Sequence, residues 1–175
     1  MNFTLRPWHI SDLDSLVKHA NNWNIAQFTS DNFPHPYTKE HGVKFIEMAT
    51  SSNPVHIFAI DVNGEAIGGI GIHPQKGIHR KNAELGYWLS EDYWGKGIIS
   101  EAVKQIIPKA FELFDIERLF ASTFGANTAS QRVLEKSGFI LECKLKSVLF
   151  KNNTLHDEWI YSIRRNTQST YSNSN

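Results

Sequence analysis

The run GYWLSEDYWGKGIISEA (residues 86–102) sets an aromatic segment against two glycines that flank a lysine, and then begins a stretch with helical spacing. Gly95 and Gly97 let the chain turn with successive N–H groups pointing inward, and the helix that follows adds the positive end of its dipole. Such a turn suits a phosphate oxyanion, with Lys96 adding charge at its rim. Two other phosphate cradles fit the spacing badly. A P-loop requires four residues between its first glycine and Gly-Lys, and the dinucleotide fingerprint requires a third Gly or Ala where Ser100 stands. The dinucleotide turn also starts at the end of its strand, whereas SEDYW intervenes here.

Downstream of the turn, apolar residues at 99, 102, 103, 106, 107, 110, 111 and 114 keep one helical face across Pro108, which removes a backbone donor and is expected to kink the helix. RLFAST then reads as a strand, a helix runs from Asn127 to Ser137 and ends at Gly138, and FILECKLKSVLF and TLHDEWIYSI read as two strands joined through KNNT. Upstream, AELGYWLS is a strand. VHIFAIDV and AIGGIGIH flank Asn63-Gly64, the dipeptide that most favours a tight turn, so residues 55–73 form an antiparallel hairpin. Nearer the N-terminus, a strand at Phe3 to Arg6 precedes a helix capped by Ser11 with Leu13, Leu16, Val17 and Ala20 on one face. The aromatic segment from Asn22 to Tyr37 reads as an irregular loop that shapes a pocket, and Thr38 caps a second helix with Val43, Phe45 and Ile46 inward.

Composition limits what such a chain does. Its 175 residues, 41% hydrophobic, suffice for one substantial core and are few for two domains. Eighteen basic residues balance eighteen acidic ones, so no broad field toward nucleic acid or a membrane surface exists. The single Cys143 excludes an internal disulfide framework and a cysteine zinc cluster. No apolar run is long enough to cross a bilayer and the N-terminus lacks the layout of a signal peptide, so a cytoplasmic protein is expected. The domain is expected over 1–163, with 164–175 as a frayed polar tail.

The order of elements, together with AELGYWLSEDYWGKGIISEAV and ANTASQRVLEKSGF, resembles the GNAT superfamily of N-acetyltransferases, and within it the RimJ/RimL branch that acetylates protein N-terminal amines. The resemblance spans residues 2 to 163. It implies an α+β fold with a mixed, mostly antiparallel sheet of about seven strands and about four helices, splayed between the fourth and fifth strands. It implies acetyl-CoA as co-substrate and no metal, with the pyrophosphate on the backbone of Trp94, Gly95, Lys96, Gly97, Ile98 and Ile99 and the pantetheine arm between AELGYWL and RLFAST. The superfamily pattern at this turn is Q/R-x-x-G-x-G/A. Here Trp94 stands first and Ile99 last, which changes side chains and leaves the backbone donors in place. The partners implied are acetyl-CoA and an amine acceptor, either a protein N-terminus or a small amine, with neither nucleic acid nor membrane and with a monomer or homodimer.

Acetyl transfer requires a neutral amine, a polarised thioester and a donor to the departing sulfur. Glu84 is the leading base: it is a lone carboxylate in an apolar strand, where desolvation raises its pKa, and the branch commonly carries an acidic residue there. The competing reading is a strand-entry glutamate facing water, with His73 or His79 acting through water instead. Many relatives place a tyrosine in the helix before Gly-Phe, and the matching position here is Leu134. The branch's Asn-x-x-Ser is present, which implies Asn127 at the pantetheine and Ser130 as the proton donor; helix capping and first-turn solvation are their structural alternatives. Backbone N–H groups of Tyr87, Trp88 and Leu89 are expected to hold the acetyl carbonyl, and Phe33, Tyr37 and Glu84 to line the acceptor pocket. Cys143, without a histidine partner, reads as packing rather than as an acetyl carrier, and Trp88, Trp94 and Trp159 read as core. An N-terminal α-amine titrates lower than a lysine side chain and asks less of a modest base, so direct transfer to an N-terminus is favoured over a small-molecule amine or a turnover-free CoA sensor.

Overall fold

Asn63 and Gly64 both adopt positive φ, 54° and 87°, so the turn twists with the strands it joins, β2 (Ile57–Val62) and β3 (Glu65–Pro74). The Asp61 side chain accepts the Gly64 N–H at 2.8 Å and completes the turn. Around this hairpin a seven-stranded sheet is built in the order β1-β2-β3-β4-β5-β7-β6, with β1 (Thr4–Pro7), β4 (Asn82–Leu89), β5 (Arg118–Phe124), β6 (Ile140–Lys151) and β7 (Thr154–Arg164). Every neighbouring pair is antiparallel except β4 and β5, whose parallel alignment requires a crossover, supplied by α4 (Ile98–Leu113). The remaining helices are α1 (Leu13–Ala20), α2 (Trp23–Ala26), α3 (Lys39–Thr50) and α5 (Thr128–Lys136). The computed structural model describes residues 2–165, and the part of the expected tail from 166 to 175 lies outside them. Within the description β7 continues to Arg164, and Arg165 donates to the carbonyls of Phe111, Phe114 and Ile116 at 2.9–3.2 Å. The fold therefore extends past residue 163 and ties its last strand to the C-terminal end of α4.

Each sheet face is covered, which is why β2 is buried along its whole length. On one face Ile60, Ile67, Ile70, Ile72, Leu85 and Leu119 pack beneath Ile99, Val103 and Ile106 of α4 and Leu134 of α5. On the other, Ala59, Ala66 and Trp88 meet Leu16, Ala20, Ile46 and Ala49 of α1 and α3. The apolar spacing of residues 99–114 is thus the buried stripe of α4, which runs on through Pro108. Thr38 caps α3 as its sequence predicts, its hydroxyl accepting the His41 N–H.

Two local expectations are corrected. The first helical segment is capped by His9 rather than Ser11: the His9 ring accepts the Ser11 N–H, and a short 3-10 turn over Ile10–Asp12 precedes α1. Its Asp12 carboxylate, with Asp61, holds Arg6 of β1 at 2.7 Å. The segment after Asn22 is not wholly irregular, because Asn22 caps the single turn of α2.

Candidate active site

Register along β4 and β5 creates the opening on which the site is built. The two strands pair at Asn82/Arg118, Ala83/Leu119 and Glu84/Phe120, and no further pairing follows although β4 continues to Leu89 and β5 to Phe124. The Ser90 N–H donates to Ile67 and Gln75 N–H donates to Asn82, so alternate residues 82 to 90 spend their backbone groups on the β3 side. The intervening Tyr87 and Leu89, beyond the last β4–β5 pair, direct theirs into the gap. The Leu89 carbonyl is claimed by the Trp94 indole N–H at 2.8 Å, which pins the start of the glycine turn against the end of β4.

At the mouth of this gap Gly95 and Gly97 adopt φ of 73° and 76°, a region that side-chain-bearing residues enter at a cost. The N–H groups of Gly95, Lys96 and Gly97 find no backbone acceptor among the described residues, and the first N–H groups of α4, at Ile98 and Ile99, lack intrahelical partners by geometry. The row of open donors at a helix N-terminus fits an anionic phosphate group. The side chains of Ile98 and Ile99 point the other way and are buried in the core, so only their backbone is offered. Trp94 is 46% exposed, contrary to its reading as core, and packs through its indole hydrogen bond instead. Lys96 is exposed at the rim; its ammonium donates to the Asp92 carbonyl at 2.7 Å and lies over the Tyr93 ring.

Strand alternation sends Tyr87 to the α4/α5 face and Glu84, Gly86 and Trp88 to the opposite one. Asn127 caps α5, its side-chain oxygen accepting the Ser130 N–H at 3.1 Å. The Ser130 hydroxyl lies 2.8 Å from the Tyr87 hydroxyl. Burial pushes Tyr87 well above the ordinary tyrosine range, and the bond to Ser130 offsets only part of the rise. The structure thus brings Asn127, Ser130 and Tyr87 together beside the gap. The sequence marks Tyr87 for its backbone alone; the contact of its hydroxyl with Ser130 has no local signal.

On the opposite face Glu84 is half-buried. Burial raises its carboxyl pKa, and the neighbouring Glu158 carboxylate raises it further. Glu158 reaches Glu84 from β7, held by a hydrogen bond from the Ser122 hydroxyl. His73 lies opposite Glu84 in the β3–β4 register, and its imidazole covers the glycine backbone of 71 and 86. His79 sits in an exposed turn away from the pair. Trp88 lies over Gly69, where a Cβ would meet its indole nitrogen at 2.8 Å. Phe33 bridges Trp88 and Tyr37 at ring separations of 5.6 and 5.2 Å, so the three form one aromatic wall. Tyr37 is buried, which pushes its pKa up to about 12. Cys143 lies in β6, half-exposed, with no partner suited to activating it among the described residues. Among those residues no cluster of three or more His, Cys, Asp or Glu is placed to hold a metal, and no helix is long and apolar enough to cross a membrane.

Residues 2–140 match the acetyltransferase (GNAT) domain family. The chain is 36% identical over 99 residues to the uncharacterized N-acetyltransferase YoaA of Bacillus subtilis, covering 57% of this chain and 55% of that protein. It is 34% identical over 106 residues to the ribosomal-protein-serine acetyltransferase of Escherichia coli, covering 61% and 59% respectively. These alignments span a little over half the length of the curated relatives. A solved structure of RimL, the ribosomal L7/L12 alpha-N-protein acetyltransferase, in complex with coenzyme A superposes with a TM-score of 0.82 at 23% identity, covering 94% of both chains. The parted β4–β5 pair, the glycine turn into α4 and the matched residues agree: the chain belongs to the GNAT acetyltransferase family.

Proposed function

We propose that this chain transfers the acetyl group of acetyl-CoA to a primary amine by direct attack in a ternary complex, and that the preferred acceptor is the N-terminal α-amine of a protein or peptide. The observation that carries this reading is the gap between β4 and β5 with a row of open backbone donors at its mouth. Gly95, Lys96, Gly97, Ile98 and Ile99 hold the pyrophosphate through their N–H groups, and Asn127 borders the pantetheine arm. The Tyr87 and Leu89 N–H groups face the gap and polarise the acetyl carbonyl, where donors fixed in place stabilise developing charge at no reorganisation cost. Acetyl-CoA supplies the thioester carbon as electrophile.

Glu84 takes the amine's proton. Its raised pKa, from burial and then Glu158, brings a carboxylate closer to the pH at which it works. Ser130 acts on the other side of the gap as donor to the departing sulfur. An α-amine titrates at about 7.7–8.0 and a lysine amine at about 10.4, so a carboxylate base serves the first far better. Relatives whose names specify ribosomal-protein acetylation support the same choice. One observation favours a second acceptor class. Glu158 beside Glu84 puts two carboxylates on one face, which suits a small diamine with a second ammonium group.

The test is release of CoA thiol from acetyl-CoA with a panel of N-terminal peptides, lysine-blocked and N-blocked controls, and small mono- and diamines. Turnover with free N-termini, absent when they are blocked, is expected. Turnover with diamines alone moves the assignment to the second acceptor, and binding of CoA without turnover with any amine removes catalysis.

A further inference from the structure

Tyr87 and Ser130 form a side-chain bridge at the level where the two strands have already parted. Tyr87 lies three residues past the last paired residue of β4, Glu84, and its hydroxyl meets the Ser130 hydroxyl at 2.8 Å and the Ser130 carbonyl at 3.3 Å. The Ser130 backbone is fixed by Asn127, and its hydroxyl has no other partner among the described residues. Each hydroxyl carries one proton, so the direction of the bond decides what Ser130 has left to give. If Ser130 donates to Tyr87, the Tyr87 proton goes to the Ser130 carbonyl and the Ser130 proton is spent on the phenol oxygen. If Tyr87 donates, the Ser130 proton is free to turn into the gap. A phenol is a far stronger acid than an alcohol, and the Oγ contact at 2.8 Å is shorter than the carbonyl contact at 3.3 Å, which favours Tyr87 as donor to Oγ; burial, which raises its pKa, favours the protonated phenol that this requires.

We propose that Tyr87 is a positioning residue for Ser130: its hydroxyl donates to Ser130 Oγ and thereby turns the Ser130 proton toward the sulfur that departs. This rests on the acetyl-transfer reading above. As the amine nitrogen forms its bond to the acetyl carbon, the carbon–sulfur bond breaks and its electron pair stays on sulfur, while the surplus amine proton passes to Glu84. A thiol titrates at about 8.5, well below an alcohol, so Ser130 keeps its proton and stabilises the thiolate by a hydrogen bond that Tyr87 strengthens cooperatively. The thiolate takes its proton from solvent on release. The balance closes without a tyrosinate, which burial would penalise.

The test uses the whole protein, coenzyme A as the probe and the variants Tyr87→Phe, Ser130→Ala and their combination. The first readout is independent of turnover: titration of the bound CoA thiol by its thiolate absorbance. In the wild type it titrates below free CoA; Tyr87→Phe moves it up by about half a unit to one unit, and the double variant moves it no further than Ser130→Ala. In the second readout Tyr87→Phe lowers kcat about tenfold with KM for acetyl-CoA within about twofold, again without adding to Ser130→Ala. Losses that multiply in the double variant, or a thiol titration indifferent to Tyr87→Phe, overturn the proposal. Should Tyr87→Phe fold poorly, a fluorinated tyrosine at 87 keeps ring and hydroxyl and strengthens the donor; the thiol then titrates lower, and no movement overturns the idea. A wild type that binds CoA yet acetylates no amine overturns the acetyl-transfer reading separately, because the thiol titration still reports whether Tyr87 acts on Ser130.

Discussion

The Glu84 carboxyl group shares its sheet face with Trp88, with the backbone of Gly86 and with the like-charged Glu158, an environment that favours its neutral form. Because its pKa is raised in the folded state, the native protein holds this proton more tightly than the unfolded chain does. Stability from this group is present below the unfolded carboxyl value and is lost as pH rises through the folded one. Glu84→Gln is therefore expected to be as stable as the wild type or more so at neutral pH, with the advantage gone in acid, as read from urea midpoints across pH. The same substitution flattens the acidic limb of the pH–rate profile and lowers kcat/KM about 100-fold, with CoA affinity unchanged by calorimetry. An unaltered profile would shift the base to His73 acting through water. The sequence exposed Glu84 because a lone carboxylate in an apolar strand stands out. It hid Glu158 and the Tyr87 hydroxyl, since contacts between residues 43 or more positions apart depend on strand order and register, which no local pattern encodes.

Elements were legible wherever a period persisted. The apolar runs on either side of the Asn63-Gly64 turn and the long stripe of α4 located β2, β3 and α4 to within a residue or two of their observed ends. The four-residue α2 is too short to show a period, and His9 caps a helical turn although histidine is not a favoured cap, so both escaped. At the start of α4, Gly97 holds φ of 76° with open space where a Cβ would go, so backbone strain rather than collision governs substitution. Gly97→Val is expected to cost about 1–2 kcal/mol of stability and to weaken CoA binding by distorting the donor row; calorimetry and denaturant melts measure the two losses. At β1, Arg6 joins Asp12 and Asp61. Burial works to raise the Asp12 carboxyl, and the Arg6 hydrogen bonds, with the His9 N–H, outweigh it and hold the pKa low. That stability is present above the unfolded carboxyl pKa and lost as pH falls. Arg6→Ala should cost about 2–4 kcal/mol at neutral pH, with the deficit shrinking in acid, as seen by melting at several pH values.

Across the whole molecule, the tip of the β6–β7 hairpin is fastened to the end of α2 and the loop after it by Lys151, whose ammonium donates to the carbonyls of Ala26, at 2.7 Å, and Thr29. Lys151→Met keeps the stem and deletes the donors. It is expected to raise KM for the acceptor several-fold while leaving CoA affinity within about twofold, a split that steady-state kinetics and calorimetry resolve together. The mixed sheet and its splay were implied by the resemblance to the GNAT superfamily, whereas this fastening, which joins residues more than 120 positions apart, was not. The parted strands carry one more consequence, a mechanical one. With three residue pairs between β4 and β5, the shortest ladder in the sheet, its two halves resemble plates riveted near one corner, with a hinge between them. A ligand seated in the fork acts as a wedge that stiffens this hinge. Amide exchange along β7 where it pairs with β6, one strand removed from the gap, should slow on adding CoA, while β1 and β2 on the other plate keep their rates.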